Sequence, residues 1–93
     1  MVRGATGPAG SWALLTADAI GVYLKRSGLT AKSLYESAGM SPATYYARTS
    51  GRVSFTLNDV EALSVPLGVT PLDIALMATK LGELAPATKG KRT

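Results

Sequence analysis

Apolar residues along this chain recur at spacings of three and four, the period of an α-helix, and no strand-like alternation competes with them. The pattern divides into five segments, each marked by a helix start or stop signal. The first begins near Ser11 or Thr16 and ends at Gly28. The other four follow candidate N-cap residues, namely Thr30, Ser41, Thr56 and Thr70. The sequence therefore predicts an all-α fold, a compact bundle of five short helices.

The second and third segments are short and lie close together in the sequence. Thr30 caps the second and Gly39 closes it, while Ser41 caps the third and Pro42 takes its first helical position. Two capped helices joined by a tight Gly-Met-Ser turn are typical of a helix-turn-helix. Because that unit docks into the major groove, residues 28–51 make DNA binding the leading hypothesis.

The composition predicts one domain with two extensions. The 93 residues are 46% apolar, enough for one modest core. Glycine and proline in residues 1–10 predict a flexible N-terminal arm, residues 11–85 carry the helical pattern, and residues 86–93 predict a flexible basic tail. No stretch approaches the roughly 20 apolar residues of a membrane span. We therefore expect a cytoplasmic protein with no membrane association, associated with the nucleoid in a bacterial host.

Several kinds of chemistry are excluded by residue usage. The chain has no cysteine and no histidine, so disulfides, the usual zinc sites and imidazole catalysis are absent. Most of its six carboxylates lie near predicted helix starts or on helix faces, where they favour helix dipoles over acid–base pairing. We expect no enzyme activity, no metal, no cofactor and no small-molecule ligand.

Positive charge is concentrated in the helix-turn-helix. Residues 25–52 hold five basic residues against one acidic residue, whereas residues 53–88 hold one against four. A phosphate-facing surface requires such a basic segment, although a solvated charged face would look the same in sequence.

The order and spacing of several short motifs carry a family resemblance. They are Gly28-Leu29-Thr30, Leu34, Gly39-Met40-Ser41, Gly51, Leu57 and Leu67-Gly68-Val69-Thr70. From about Ile20 to Ile74 the chain resembles the lambda-repressor-like, Xre/Cro-type helix-turn-helix family. The resemblance implies a five-helix DNA-binding domain, often a phage repressor, a Cro-like switch or an antitoxin, that binds double-stranded DNA as a homodimer.

The third helix divides into two sides at about 100° per residue. The side expected to face DNA bases comprises Pro42, Ala43, Tyr46, Ala47 and Ser50, with Ser41 at its start. Tyr45 lies on the other side and is expected in the core. Tyr46 is expected to contact a phosphate, a base edge or a thymine methyl, or else to be a surface tyrosine without a partner. The base-facing side lacks Arg, Lys, Asn and Gln, so direct sequence readout should be thin.

Basic residues around this helix are the candidate phosphate contacts: Lys32, Arg48 and Arg52. Arg48 occupies a position where the family usually has an apolar residue, so we expect its stem to cross the bundle and its guanidinium to emerge toward a phosphate or Glu36. Ala31 stands where many relatives carry a phosphate-binding glutamine, a contact that Lys32 would take over. Possible further contacts come from the arm and tail residues Arg3, Lys89, Lys91 and Arg92, which otherwise only aid solubility.

A second apolar stripe on the fifth helix comprises Ile74, Met77, Leu81 and Leu84. It suggests a dimer seam, and the alternative is that it folds back onto the first helix; Gly82 also weakens the helix there. Two functions follow: a DNA-binding transcriptional regulator, or an interaction module of the same fold, antitoxin-like or anti-repressor-like, whose third helix faces a protein.

Overall fold

The structure, a computed structural model, describes residues 10–84, and within them it has five helices and no strand. The helices are α1 (Ser11–Ser27), α2 (Ala31–Ser37), α3 (Pro42–Thr49), α4 (Leu57–Leu67) and α5 (Pro71–Leu84). The predicted all-α fold is confirmed, with α2 and α3 as the helix-turn-helix. Apart from Gly10, the predicted arm and tail lie outside the described residues, and so do Arg3, Lys89, Lys91 and Arg92.

All four predicted N-caps are confirmed. At each, a hydroxyl oxygen accepts a hydrogen bond from the backbone N–H three residues later, at 3.0–3.1 Å. At Thr56 and Thr70 the bond is reciprocated, because the carboxylates of Asp59 and Asp73 accept from the threonine N–H at 2.9 and 2.8 Å. Such a cap contributes about 1 kcal/mol, so these residues decide where the helices begin.

Helix α1 begins at Ser11, the earlier of the two predicted starts. Thr16 is a residue of the helix interior and is 8% exposed. Its hydroxyl donates to the carbonyl of Trp12 at 2.9 Å, so it bonds to the preceding turn and caps nothing.

The core draws one large apolar side chain from each of four helices: Ile20, Leu34, Leu63 and Ile74 are fully buried. The fifth contribution comes from α3, whose Tyr45 is 4% exposed, as predicted. Leu34 and Tyr45 therefore fix the helix-turn-helix on the rest of the domain by apolar burial.

Gly51 ends α3 in a left-handed conformation, with φ +88°. A Cβ added there would lie 2.7 Å from Cδ2 of Leu14 in α1. The glycine therefore supplies both a backbone conformation that other residues disfavour and the room for α1 to approach the end of α3.

Helix α5 packs mainly along α1. It continues through Gly82, where a Cβ would lie 3.0 Å from Cδ1 of Leu15. Gly82, expected to weaken the helix, does not end it, and its missing side chain allows α5 to pack closely against α1.

The predicted dimer seam is wrong for its innermost residue. Ile74 is 1% exposed within a single chain, and Met77 and Leu81 are partly buried against the same core. These three residues instead follow the alternative, in which the stripe folds back onto the first helix. The side chain of Leu84 is outside the part of the chain that the structure describes. Ile74, Met77 and Leu81 are core residues because α1 packs against α5.

Candidate nucleic-acid interface

The two sides of α3 differ in exposure as the sequence predicted. Pro42, Ala43 and Ser50 are exposed, Tyr46 is 49% exposed and Ala47 is half-buried. The opposite side carries Tyr45 into the core. An outer side of small residues around one tyrosine therefore faces away from the domain.

Both serine hydroxyls of the candidate base-facing set are engaged locally. Oγ of Ser41 accepts from the N–H of Thr44 at 3.1 Å and lies 3.0 Å from its hydroxyl oxygen. The hydroxyl of Ser50 donates to the carbonyl of Ala47 at 3.3 Å. The two hydroxyls therefore form hydrogen bonds at the two ends of α3.

Tyr46 belongs to a cluster of three tyrosines, with Tyr35 of α2 and Tyr45. The ring centroid of Tyr46 lies 5.9 Å from that of Tyr35 and 5.2 Å from that of Tyr45, with interplanar angles of 74° and 81°. Tyr35 and Tyr45 are 5.3 Å apart. The rings of Tyr35 and Tyr45 are buried, so the half-exposed ring of Tyr46 rests on two aromatic partners within the domain.

Arg48 does not emerge toward Glu36 or solvent. Its Nε donates to Oδ2 of Asp59 in α4 at 2.7 Å, and the two side chains are 18% and 14% exposed. The same carboxylate oxygen also accepts from the N–H of Thr56. The expectation that Arg48 contacts phosphate is corrected, because a largely buried ion pair holds its guanidinium to the start of α4.

The electrostatics of Asp59 reflect this double engagement. Burial by itself would raise the pKa of Asp59. The hydrogen bond from the Thr56 backbone, and the hydrogen bond and positive charge of Arg48, outweigh burial and hold the pKa below its usual value. Burial raises the pKa of Tyr45, with a further contribution from Tyr46, so that phenol stays neutral.

Lys32 and Arg52 remain the candidate phosphate contacts. Arg52 is exposed directly after Gly51, at the end of α3. The Lys32 side chain is 73% exposed, and its Nζ lies 3.8 Å from a carboxylate oxygen of Glu36. An exposed pair at that distance is worth about 0.2–1 kcal/mol, so a phosphate would compete easily for the ammonium. Lys32 lies one turn before Tyr35 on α2.

Sequence reasoning missed two residues that organise this surface. Asp59 was missed because nothing in the sequence pairs it with an arginine 11 residues earlier. Tyr35 drew no attention because its contacts with Tyr45 and Tyr46 join two helices. The aromatic residue on α2 and the aromatic pair on α3 were the features of the sequence that could have predicted this contact.

A second surface feature lies away from the helix-turn-helix. The first turns of α1, α4 and α5 surround an apolar groove of about 310 Å³. Its rim includes Trp12, 54% exposed, and Leu57, 89% exposed, with Glu61 as the charged lining residue. Leu72 and Leu76 on α5 are also exposed, at 65% and 59%.

Other kinds of site find no support among residues 10–84. No group of three or more metal-ligating side chains occurs there. No single helix in this range is both long and apolar enough to cross a membrane; only α4 and α5 together pass that test, with a 100° bend between them.

Comparison with protein-family models finds no match, and comparison with curated proteins finds none either. Among solved structures, the chain is similar to the crystal structure of the clp gene regulator ClgR from Corynebacterium glutamicum. The TM-score is 0.78 at 19% sequence identity, and the match covers 91% of this chain and 90% of that one. The likeness shows that the two chains share a fold over almost their whole lengths.

Proposed function

We propose that this chain is a DNA-binding transcriptional regulator, a repressor or Cro-like switch, that docks α3 in the major groove of operator double-stranded DNA. The observation that carries the proposal is the outer side of α3, which is exposed around Tyr46 and free of acidic residues; the exposed cations Lys32 on α2 and Arg52 after α3 come shortly before and after it in the sequence. An α-helix fits the width of the major groove, and flanking cations reach the phosphates on either side. The shared fold with a protein described as a gene regulator supports it.

Affinity in this proposal comes from charge more than from base contacts. Lys32 and Arg52 bind phosphates, whereas Arg48 holds α3 against α4. The base-facing side offers one tyrosine and small residues, with no side chain able to make a bidentate contact to guanine or adenine. DNA shape and residues of the arm and tail are then the further sources of specificity.

We also propose a homodimer, with its interface moved from the predicted stripe to the exposed apolar residues of α5. Leu72 and Leu76 lie one turn apart on one face, and α5 packs on α1 and α4, away from α2 and α3. Leu76→Glu should give monomers in sedimentation. Lys25→Gln changes the charge by the same amount at an exposed position of α1 and should not. An unchanged mass for Leu76→Glu contradicts this interface.

A salt titration of binding to random duplexes, followed by sequencing of the retained DNA, tests the DNA-binding function. Each phosphate contact contributes about 0.9 to the slope of log K against log salt concentration. Arg52→Ala should weaken binding to all sequences alike and lower the slope by about one, whereas Lys80→Ala, in the acidic half of the chain, should leave it unchanged. A wild-type slope near zero with no enriched sequence refutes DNA binding.

An interaction module is the second candidate, and the groove at Trp12 and Leu57 favours it. Exposed apolar surface of this kind is typical of protein contacts. A chain that binds no DNA at any salt concentration, but whose Trp12 fluorescence changes with a protein partner, would support this function over the first.

A further inference from the structure

The tyrosine cluster fixes how the outer side of α3 is presented. Consecutive residues of a helix point about 100° apart, so their side chains do not ordinarily face each other. The rings of Tyr45 and Tyr46 nevertheless lie 5.2 Å apart, and both contact Tyr35 of α2. The ring of Tyr46 is therefore laid over toward α2 and does not project straight into solvent.

This arrangement also limits the motion of the Tyr46 ring. Edge-to-face pairs contribute about 0.5–1.5 kcal/mol each beyond the area they bury, and Tyr46 makes two. Both supporting rings are buried, with Tyr35 8% and Tyr45 4% exposed, so they do not move aside freely. About half of Tyr46 remains exposed as a preordered aromatic surface.

The neighbours of Tyr46 leave that surface open. Ala43 lies one turn before it and Ser50 one turn after it, and both are exposed and small. No charged or amide side chain stands on this side of the helix. Besides the Tyr46 hydroxyl, this side offers a base edge an aromatic ring between small neighbours, and the feature in the major groove that matches the ring is the C5-methyl group of thymine.

We propose that Tyr46 reads thymine C5-methyl groups in the major groove, and that Tyr35 is the positioning residue that holds its ring in place. This inference rests on the proposed function. Tyr35 does not touch DNA; it acts from α2 through its edge contact with Tyr46. The contact between α2 and α3 thus determines the orientation of the Tyr46 ring.

Uracil differs from thymine only by lacking this methyl group, so it makes a clean probe. Affinities are measured for A·T-rich duplexes, or for the enriched operator, and for the same duplexes with uracil in place of thymine. Burying one methyl group is worth a factor of about four, so the wild type should bind the uracil duplexes about fourfold more weakly. Tyr46→Phe should keep this ratio and Tyr46→Ala should abolish it.

Tyr35→Leu tests the positioning role, with Tyr35→Phe as its control because it keeps the ring. Tyr35→Leu should reduce the thymine-to-uracil ratio while leaving the salt slope unchanged. An equal loss of affinity for both duplexes would instead mean that Tyr35 only stabilises the fold, and would overturn its positioning role.

The two proposals fail in different ways. No salt-dependent DNA binding removes the proposed function. DNA binding with equal affinities for thymine and uracil duplexes, or a ratio that survives Tyr46→Ala, overturns only the thymine readout.

Discussion

Asp59→Asn separates the two roles of the carboxylate at the start of α4. Asparagine keeps an oxygen that can accept from the Thr56 N–H but loses the charge that Arg48 pairs with. Asp73→Asn is the matched control, because Asp73 caps α5 through Thr70 in the same way but has no basic partner within ion-pair distance among residues 10–84.

The expected magnitude follows from the burial of the pair. Exposed pairs are worth about 0.2–1 kcal/mol, whereas breaking a buried pair costs about 3–5 kcal/mol. With 18% and 14% of the side chains exposed and a 2.7 Å contact, Asp59→Asn should lose about 2 kcal/mol more than Asp73→Asn. In a domain of this size that difference lowers Tm by roughly 8–16 °C.

Urea denaturation followed by circular dichroism at pH 7 measures these values, and a double-mutant cycle with Arg48→Met isolates the pair. We expect a coupling free energy of about 1–2 kcal/mol between positions 48 and 59. A coupling below about 0.3 kcal/mol, the ordinary error of additivity, would refute the assigned role of the ion pair.

The pH dependence gives an independent check. The pKa of Asp59 is lower folded than unfolded, so its stabilisation is present above the unfolded value of about 4 and is lost as pH falls through the folded value. Wild type should therefore lose more stability than Asp59→Asn as pH falls below about 4, and the two should converge. Parallel losses in both proteins would contradict the shift.

Two further substitutions test the packing. Gly51→Ala should cost about 1–2 kcal/mol, close to the cost of Gly28→Ala, because both glycines have a left-handed conformation and the added Cβ at Gly51 meets only the terminal Cδ2 of the half-exposed Leu14; no loss by denaturation would contradict the left-handed turn after α3. Leu81→Glu should lower Tm strongly, because it places a charge against the core, whereas Val65→Glu, at a position of α4 that is 76% exposed, should leave Tm nearly unchanged. Similar melting curves for the two glutamate variants would show that the helix face is wrongly assigned.

Local signals predicted the fold well because each acts over a few residues. Thr56 caps α4, and Gly28 with φ +78° ends α1, both where the sequence predicted. The division of α3 into a buried side with Tyr45 and an exposed side with Tyr46 follows from helical period alone.

Contacts between distant residues could not be predicted in the same way. The pairing of Arg48 with Asp59 depends on how α3 is placed against α4. The burial of Ile74 depends on α1 covering α5, since the periodic stripe of a dimer seam and that of an internal core are identical in sequence. Helix periodicity shows which residues share a face but not which element covers it.

The central claim is that the α2–α3 side of the domain docks on DNA, and amide chemical-shift mapping of the full chain tests it most directly. Titration with an A·T-rich or enriched duplex at low salt should shift amides in residues 30–52, above all at Tyr46 and Arg52, and leave those of α5 nearly unchanged. Shifts confined to α5, or no shifts at all, would contradict it.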